Sequence, residues 1–239
     1  MAKRDHLLPM ASTLTQSPHH PTLTLTLTLT LSTLILLSSP PPSLASDPDP
    51  LQDFCIADLR APISVNGFPC KPSPNVTSDD FFFDGLAREG DTYNSNGSSV
   101  VYGNVLAFPA LNTLGISMNR VDVAPGGLNP PHSHPRATEA GIVVQGKLLV
   151  GMITTSNVLY AKNVTAGEMF VIPRGLVHFQ MNVGNETALI YAAFNSHLPG
   201  SVFVASNLFG ARPPVPDDVL TKAFQVEQRL IAQIRSKFG

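Results

Sequence analysis

The pattern of apolar and polar residues changes near residue 113, and from there it is typical of β-strands. Short runs rich in β-branched and aromatic residues alternate with Gly, Pro and Asn, at a spacing of roughly 8–12 residues. Because no long helical period separates the runs, a parallel βαβ sheet is disfavoured. The pattern predicts an all-β sandwich or barrel, whose clearest strands are GIVVQG, KLLVGMI, VLYAKNV, EMFVIP, LVHFQMNVG and ALIYAAF.

The segments on either side of these runs follow other patterns. Residues 46–112 are rich in Pro, Asn, Gly, Asp and Ser, and we interpret them as an irregular N-terminal arm. Residues 113–239 are assigned to the barrel and to a short helical segment at its C-terminal end. Pro216 and Asp217 supply helix-start signals there, and apolar residues then recur at helical spacing as far as Phe238. This apolar stripe predicts a core or subunit contact rather than a ligand site.

Residues 1–45 are organised like a secretory leader. Lys3 and Arg4 lie near the start, an uncharged Leu/Thr/Ser tract follows, and a small-residue cleavage site ends at Ala45. We therefore predict a signal peptide at 1–45 and secretion to the extracellular space. A strand is the competing interpretation of TLTLTLTLTL, because that tract alternates with period 2. A chloroplast transit peptide would carry more arginine, and the tract is too weakly apolar for an anchor, so no membrane span is expected in the mature chain.

Composition and charge narrow the classes of partner. Of the 239 residues, 43% are apolar, which allows a sizeable core in one domain preceded by a leader. Only 13% are charged and the formal net charge is −2. No basic surface is therefore predicted for nucleic acid or for anionic lipid.

Cys55 and Cys70 are the only two cysteines, which agrees with a secreted protein. A disulfide between them would close a loop of about 16 residues and stabilise the fold by on the order of 3 kcal/mol. Two buried thiols are the alternative. Four Asn-x-Ser/Thr sequons add candidate glycosylation sites, at Asn75, Asn96, Asn163 and Asn185.

The segment PPHSHPRATE, residues 130–139, contains candidate metal ligands. On an extended segment, residues i and i+2 point to the same side, so His132 and His134 can face one point. The two prolines before them favour this extended approach. Glu139 follows after enough chain to bring a carboxylate back to that point. For the His-x-His pair alone, an ordinary solvated loop is the competing interpretation.

A fourth ligand has to come from elsewhere, and His178 is the best candidate. The other histidines lie either in the leader or, like His197, in a loop-like segment. His178 shares one face of an alternating segment with Gln180 and Asn182. A metal and the groups that orient its ligands would explain such a polar row inside a half-apolar strand.

Three imidazoles and one carboxylate restrict the kind of metal. Because the set has no thiolate, Cu(I) and a structural thiolate-zinc site are disfavoured. Mixed nitrogen and oxygen ligation in six coordinates suits Mn or Fe, with two positions left for water or substrate. Zn, Ni and Cu(II) remain open, since the Irving–Williams order gives them a higher affinity than Mn.

Two spaced motifs around these residues resemble those of the germin and germin-like proteins, plant members of the cupin superfamily. The first, G-x5-H-x-H-x4-E-x6-G, runs from Gly126 to Gly146, and the second, G-x5-P-x-G-x2-H-x3-N, runs from Gly167 to Asn182. The resemblance extends through DPDPLQDFCIAD, VNGFPCK and PPVPDDVLTKAFQV. It therefore covers nearly the whole chain after the leader.

The resemblance implies a cupin β jelly-roll barrel with a bound manganese ion. It also implies a disulfide between the two cysteines, glycosylation, secretion to the apoplast or cell wall, and a homo-oligomer, a hexamer built as a trimer of dimers. The manganese ligands that it implies are His132, His134, Glu139 and His178.

Three hypotheses on function follow from the resemblance. The first is a defence- or stress-related germin-like protein with superoxide dismutase activity. The second is oxalate oxidase activity, which produces hydrogen peroxide from oxalate. True germins have that activity, and their two asparagines near the metal correspond to Asn119 and Asn129. The third is a non-enzymatic cell-wall or receptor-like cupin. The first two imply a small anionic substrate, superoxide or oxalate.

Overall fold

Two antiparallel sheets of five strands each form the body of the protein in a computed structural model, which describes residues 52–64 and 66–238. In spatial order the first sheet contains β1 (Ser98–Gly103), β2 (Ser117–Val123), β9 (Ala188–Phe194), β4 (Glu139–Gln145) and β7 (Met169–Ile172). The second sheet contains β10 (Val202–Phe203), β3 (Leu128–Ser133), β8 (Val177–Asn182), β5 (Lys147–Ile153) and β6 (Leu159–Thr165). This architecture confirms the predicted all-β jelly-roll barrel. The predicted signal peptide, residues 1–45, lies outside the described residues.

The core lies between the inner faces of the two sheets, where strand alternation places small and aliphatic side chains. In β9, for example, every second residue from Ala188 to Phe194 is buried, while the residues between them are only partly buried. The largest buried apolar cluster comprises Val121, Val123, Val143, Leu148, Val150, Val164, Ile172, Ala188 and Ile190. The interior also contains buried polar residues, which include the candidate ligands.

Gly146 allows the chain to pass directly from the first sheet to the second. It lies between β4 and β5 with a φ of +82°, which residues with a side chain rarely adopt. A Cβ at this position would also lie 2.8 Å from the Cα and Cβ of Ala188. Both the backbone conformation and the available space therefore require glycine at this corner.

The segment assigned to the N-terminal arm is not irregular throughout. Its residues Ser98–Gly103 form β1, which pairs with β2 from Ser98 opposite Val123 to Gly103 opposite Met118. The pattern did not indicate this strand, because SSVVYG lacks a clear alternation of apolar and polar residues. Pairing with β2 makes it the edge strand of the first sheet.

The disulfide between Cys55 and Cys70 is present, which confirms the predicted pairing. Asn112, whose side chain is fully buried, joins this disulfide loop to the chain that enters β2. Its Oδ1 accepts a hydrogen bond from the Phe68 N–H at 3.0 Å. Its Nδ2 donates to the Phe68 carbonyl at 2.8 Å and to Cys55 Sγ at 3.3 Å. The loop is therefore anchored to the barrel by one buried amide.

Most of the predicted C-terminal apolar stripe is divided between two short helices, because Gln225 adopts a φ of +56° and ends the first of them. Phe238 lies beyond the second helix. Phe209, Leu220 and Ile231 from the C-terminal part form a small buried cluster of their own. Within the described residues, no helix has the length and apolar character needed to cross a membrane. The helices are α1 (Val204–Phe209), α2 (Asp217–Phe224) and α3 (Gln228–Arg235).

We expect Asn112→Ala to lower the free energy of unfolding by about 2 kcal/mol, because it leaves the Phe68 N–H and carbonyl without their partner. Urea denaturation followed by circular dichroism measures this change. Gln233→Ala alters an exposed amide in α3 and should stay within about 0.5 kcal/mol of the unchanged protein. Equal effects of the two substitutions would contradict the anchoring role of Asn112.

Candidate metal centre

Strands from both sheets bring four potential ligands together at one end of the barrel interior. One ligand atom from each residue lies within 4.8 Å of the other three. All four residues are at most 4% exposed. We refer to them as the ligand group, which consists of His132, His134, Glu139 and His178.

The end of β3 provides the His-x-His pair. His132 lies in β3 and His134 follows directly after the strand. The register between β3 and β8 shifts between Asn129 and His132, where Pro130 and Pro131 lie. A bulge suits these prolines, because they lack the N–H that a regular ladder requires. The bulge therefore changes the direction of the chain just before His132 and His134.

The third imidazole comes from β8, in which His178 is in register with His132. The two ring centroids are 4.1 Å apart. His178, Gln180 and Asn182 are 0%, 1% and 1% exposed, whereas the residues between them are partly or largely exposed. This alternation confirms the predicted polar face of the strand.

Glu139 is the member of the ligand group that belongs to the first sheet, at the start of β4. The preceding N–H, of Thr138, donates to Asn195 Oδ1 at 2.7 Å and helps to fix this strand end. Burial raises the pKa of the Glu139 carboxyl, but the adjacent His134 and His178 lower it more strongly, to about 2. The site therefore holds a buried negative charge at neutral pH, and such a charge needs a partner.

Backbone carbonyl oxygens orient the three imidazoles. Because a carbonyl oxygen only accepts hydrogen bonds, each Nδ1 that faces one carries a proton, and each Nε2 keeps a lone pair in the neutral ring. Metal-binding histidines are held in this way in many proteins. The contacts are His132 Nδ1 to Pro130 O at 2.8 Å, His134 Nδ1 to Gly200 O at 2.6 Å, and His178 Nδ1 to Leu176 O at 3.0 Å.

The Nε2 atoms of His134 and His178 lie 3.1 Å and 3.0 Å from Glu139 Oε2. These contacts are favourable only where a proton or a metal cation lies between the nitrogen and the carboxylate oxygen. Burial, helped by His178 and His134, lowers the pKa of His132 to about 3, so the His132 ring is neutral. A proton on one imidazole would relieve one contact, whereas a divalent cation satisfies all four donor atoms at once. The donor set therefore fits a metal ion.

Gln180 links the ligand group to one of the two predicted asparagines. Its Nε2 lies 3.5 Å from Glu139 Oε1, and its Oε1 accepts a hydrogen bond from Asn129 Nδ2 at 2.8 Å. The opposite orientation would turn the Gln180 oxygen towards the carboxylate, so the charge on Glu139 selects the observed one. Asn129 therefore donates a hydrogen bond from Nδ2 to Gln180. The buried Oδ1 of Asn129 has no hydrogen-bond partner.

Asn119 provides a second acceptor of the same kind. It is 3% exposed, and its Oδ1 has no hydrogen-bond partner. Leaving a buried acceptor unpaired costs about 1–3 kcal/mol, so both amide oxygens are suited to a proton-bearing ligand or to water.

A cavity of ≈ 20 Å³ adjoins the ligand group and is lined by both asparagines. A single water needs about 10–15 Å³, so one or two water-sized groups fit. Neither lysine nor arginine is found among its lining residues. The attraction of an anion to this cavity therefore has to come from a bound cation.

The structure places the other predicted residues away from this centre. His197 is 7% exposed, and its Nδ1 accepts the Thr113 N–H at 3.1 Å. The four sequon asparagines are all exposed. Asn75 lies in a 3-10 helix, Asn96 in the turn before β1, Asn163 in β6 and Asn185 in the turn after β8.

Sequence reasoning missed two contributors to the site. The carbonyl of Gly200 orients His134, but a backbone carbonyl has no sequence signature. Tyr102 lines the cavity from β1, the strand that the pattern did not indicate. Gln180 was found on the polar face of its strand, although its bond to Asn129 could not be inferred.

Comparisons with known proteins agree with this fold. The family model described as Cupin matches residues 84–231. Germin-like protein subfamily T member 2 from Arabidopsis thaliana is 57% identical over 198 residues, which cover 83% of this chain and 89% of that protein. Oxalate oxidase 2 from Hordeum vulgare is 55% identical over 203 residues, 83% of this chain and 91% of that protein. A solved structure of an oxalate oxidase in complex with the substrate analogue glycolate is 54% identical with a TM-score of 0.79, and the match covers 81% of this chain and 98% of that one.

A two-sheet barrel with three imidazoles and a carboxylate at one end, matched by the Cupin model over more than half of the chain, is a cupin. The relatives narrow this assignment. With 57% and 55% identity to a germin-like protein and an oxalate oxidase, the chain belongs to the germin and germin-like family of plants.

We expect Glu139→Gln to lower metal affinity by more than roughly 100-fold, the upper limit for groups that only support a ligand. The substitution keeps the size of the side chain but removes the charge that faces the imidazoles. Metal content after dialysis against a graded chelator measures the change. Glu168→Gln is the matched control, because Glu168 pairs with Lys162 at the surface. If both variants retained metal equally, Glu139 would not be a ligand.

Proposed function

We propose that this germin-like protein is a secreted, manganese-binding glycoprotein of the apoplast or cell wall, related to defence or stress, with superoxide dismutase activity. In that reaction two superoxide anions and two protons give dioxygen and hydrogen peroxide. Manganese would supply a one-electron couple between its +2 and +3 states. The observation that carries the proposal is the geometry of the ligand group: three imidazoles and an ionised carboxylate converge beside a water-sized cavity. The residues that would hold the metal are His132, His134, Glu139 and His178.

The size of the cavity favours superoxide over larger anions. Superoxide has two atoms, whereas oxalate has six heavy atoms, and the cavity measures ≈ 20 Å³. The unpaired oxygens of Asn119 and Asn129 would hold a proton-bearing group such as water. A bound water at this point is a suitable source of protons, which dismutation consumes.

Manganese is the metal that the family resemblance implies, and the donor set supports it. The ligand group offers nitrogen and oxygen donors and no thiolate, which suits a metal that accepts carboxylate and imidazole together. Metal analysis of the secreted protein distinguishes manganese from iron, zinc or copper.

Features outside the site support secretion and assembly into a hexamer, a trimer of dimers. The disulfide is typical of an oxidising compartment, and all four sequons are accessible to glycosylation. Large apolar side chains such as Ile116, Met118 and Met169 are exposed, which supports subunit contacts.

The manganese-loaded protein should inhibit superoxide-driven dye reduction in proportion to its metal content. Metal-depleted protein and Glu139→Gln should not inhibit it, because neither would hold the ion. The assay is run beside metal analysis of each sample. A fully loaded protein without inhibition would contradict dismutase activity while leaving manganese binding intact.

Oxalate oxidation is the second candidate, and the relatives favour it. An oxalate oxidase at 55% identity, and an oxalate oxidase structure with glycolate at 54% identity, lie in the same family. In this reaction oxalate, dioxygen and two protons give two carbon dioxide molecules and hydrogen peroxide. Asn119 and Asn129 line the cavity and would contact a bound oxalate dianion through their N–H groups if the amides rotate.

If oxalate is a substrate, Asn129→Ala should reduce turnover by roughly 10-fold, since it removes one polar contact of the kind worth about 1–3 kcal/mol, and metal content should not change. Oxalate-dependent release of hydrogen peroxide measures the turnover. Asn119→Ala is the paired variant on β2 and should act in the same direction. Loss of metal from Asn129→Ala would instead assign Asn129 a structural role, through Gln180.

A further inference from the structure

Tyr102 lies at the seam between the two sheets, where the metal cavity meets solvent. It belongs to β1, the edge of the first sheet, while Phe203 belongs to β10, the edge of the second. Both side chains line the cavity beside the ligand group. Tyr102 is 42% exposed, whereas Asn119, its partner on β2, is 3% exposed. The phenol ring therefore spans the boundary between the cavity and solvent.

The backbone of β1 fixes the direction of this ring. Val100 packs against the core, and Tyr102, two residues later, points to the same inner side. The register places it directly opposite Asn119, so the two side chains share one face of the sheet. A Cβ on Gly103 would lie 2.5 Å from the Met118 carbonyl oxygen, so β1 and β2 approach closely beside the tyrosine.

The opposite wall of the entrance is tied to a ligand. The ring of Phe203 stacks on His132, with centroids 5.1 Å apart and an interplanar angle of 27°. This wall cannot move outward without disturbing an imidazole of the ligand group. Tyr102, on a partly exposed edge strand, therefore sets the width of the entrance.

The phenol is suited to admit anions without attracting them. Partial burial raises the pKa of Tyr102, so its hydroxyl is uncharged at neutral pH. An uncharged ring neither repels nor binds an anion strongly, and its main effect on access is steric.

We propose that Tyr102 is a specificity-determining residue whose ring restricts access to the metal to small anions such as superoxide or azide, and disfavours larger ones such as oxalate. The proposal rests on the metal site of the proposed function and extends it to the choice of substrate. The phenol takes no part in bond making or proton transfer.

Anion binding to the Mn(II)-loaded protein, followed by electron paramagnetic resonance, tests the proposal separately from turnover. Azide and oxalate are titrated into the unchanged protein, Tyr102→Val and Tyr102→Phe. We expect Tyr102→Val to increase oxalate affinity relative to azide by about tenfold, as expected when steric exclusion from a pocket is relaxed. Valine also keeps a β-branched residue in the strand. Tyr102→Phe keeps the ring and should match the unchanged protein.

Two controls make the result specific. Tyr93→Val removes a tyrosine that is 97% exposed and should not alter the ratio of the two affinities. Tyr102→Trp enlarges the ring and should shift the affinity ratio in the opposite direction from Tyr102→Val. If Tyr102→Val does not bind metal, the tryptophan variant provides the test.

An oxalate-to-azide ratio that is unchanged in Tyr102→Val or Tyr102→Trp would overturn the proposal. An equal shift in Tyr102→Phe and Tyr102→Val would also overturn it, because the hydroxyl and not the ring would then be responsible. Size-selective anion binding without dismutase activity would leave the role of Tyr102 intact and refute the proposed function. Dismutase activity together with an oxalate-to-azide ratio that does not respond to the Tyr102 substitutions would support the proposed function and refute the role of Tyr102.

Discussion

The buried carboxylate of Glu139 is the constraint on which the rest of the site depends. An ionised carboxylate removed from water costs several kcal/mol unless it is partnered, and its near neighbours are the Nε2 atoms of His134 and His178. Glu139 comes from the first sheet, whereas His132 and His178 come from the second. A cation that satisfies the carboxylate therefore also ties the two sheets together. Metal binding would therefore stabilise the barrel, because only the folded state assembles the ligands.

The two sequence motifs contain glycines that the backbone conformation requires as well as the metal-ligand candidates. Their four glycines adopt φ values of +72°, +82°, +88° and +80° at Gly126, Gly146, Gly167 and Gly175 respectively. These left-handed positions terminate strands or turn the chain between them, and they set where each ligand-bearing strand begins. The number of residues between a motif glycine and its histidine therefore sets how far along the strand from the turn the ligand lies. The match of spacing and residue type together carries more information than the histidines alone.

Much of this arrangement could be predicted because it depends on local periodicity. The inward face of β8 followed from alternation, and with it the position of His178. What sequence could not indicate depends on distant partners. The strand β1 is stabilised by pairing with β2, and the amide orientation of Gln180 depends on a charge 41 residues away in sequence. The carbonyl of Gly200, 66 residues from His134, has no side chain to reveal it.

The ligand group alone does not decide which anion reacts in the function proposed here. Germin-like relatives and oxalate oxidases share more than half of their residues with this chain, so substrate choice has to come from groups around the metal. A buried acceptor that faces a dianion loses about 1–3 kcal/mol, and steric exclusion from a pocket changes rates by about 10–200-fold. In the roles proposed for them, the unpaired oxygen of Asn129 would contribute the first effect and the ring of Tyr102 the second. On these magnitudes, a change in amide orientation or entrance width would be sufficient to redirect one metal centre from one anion to another.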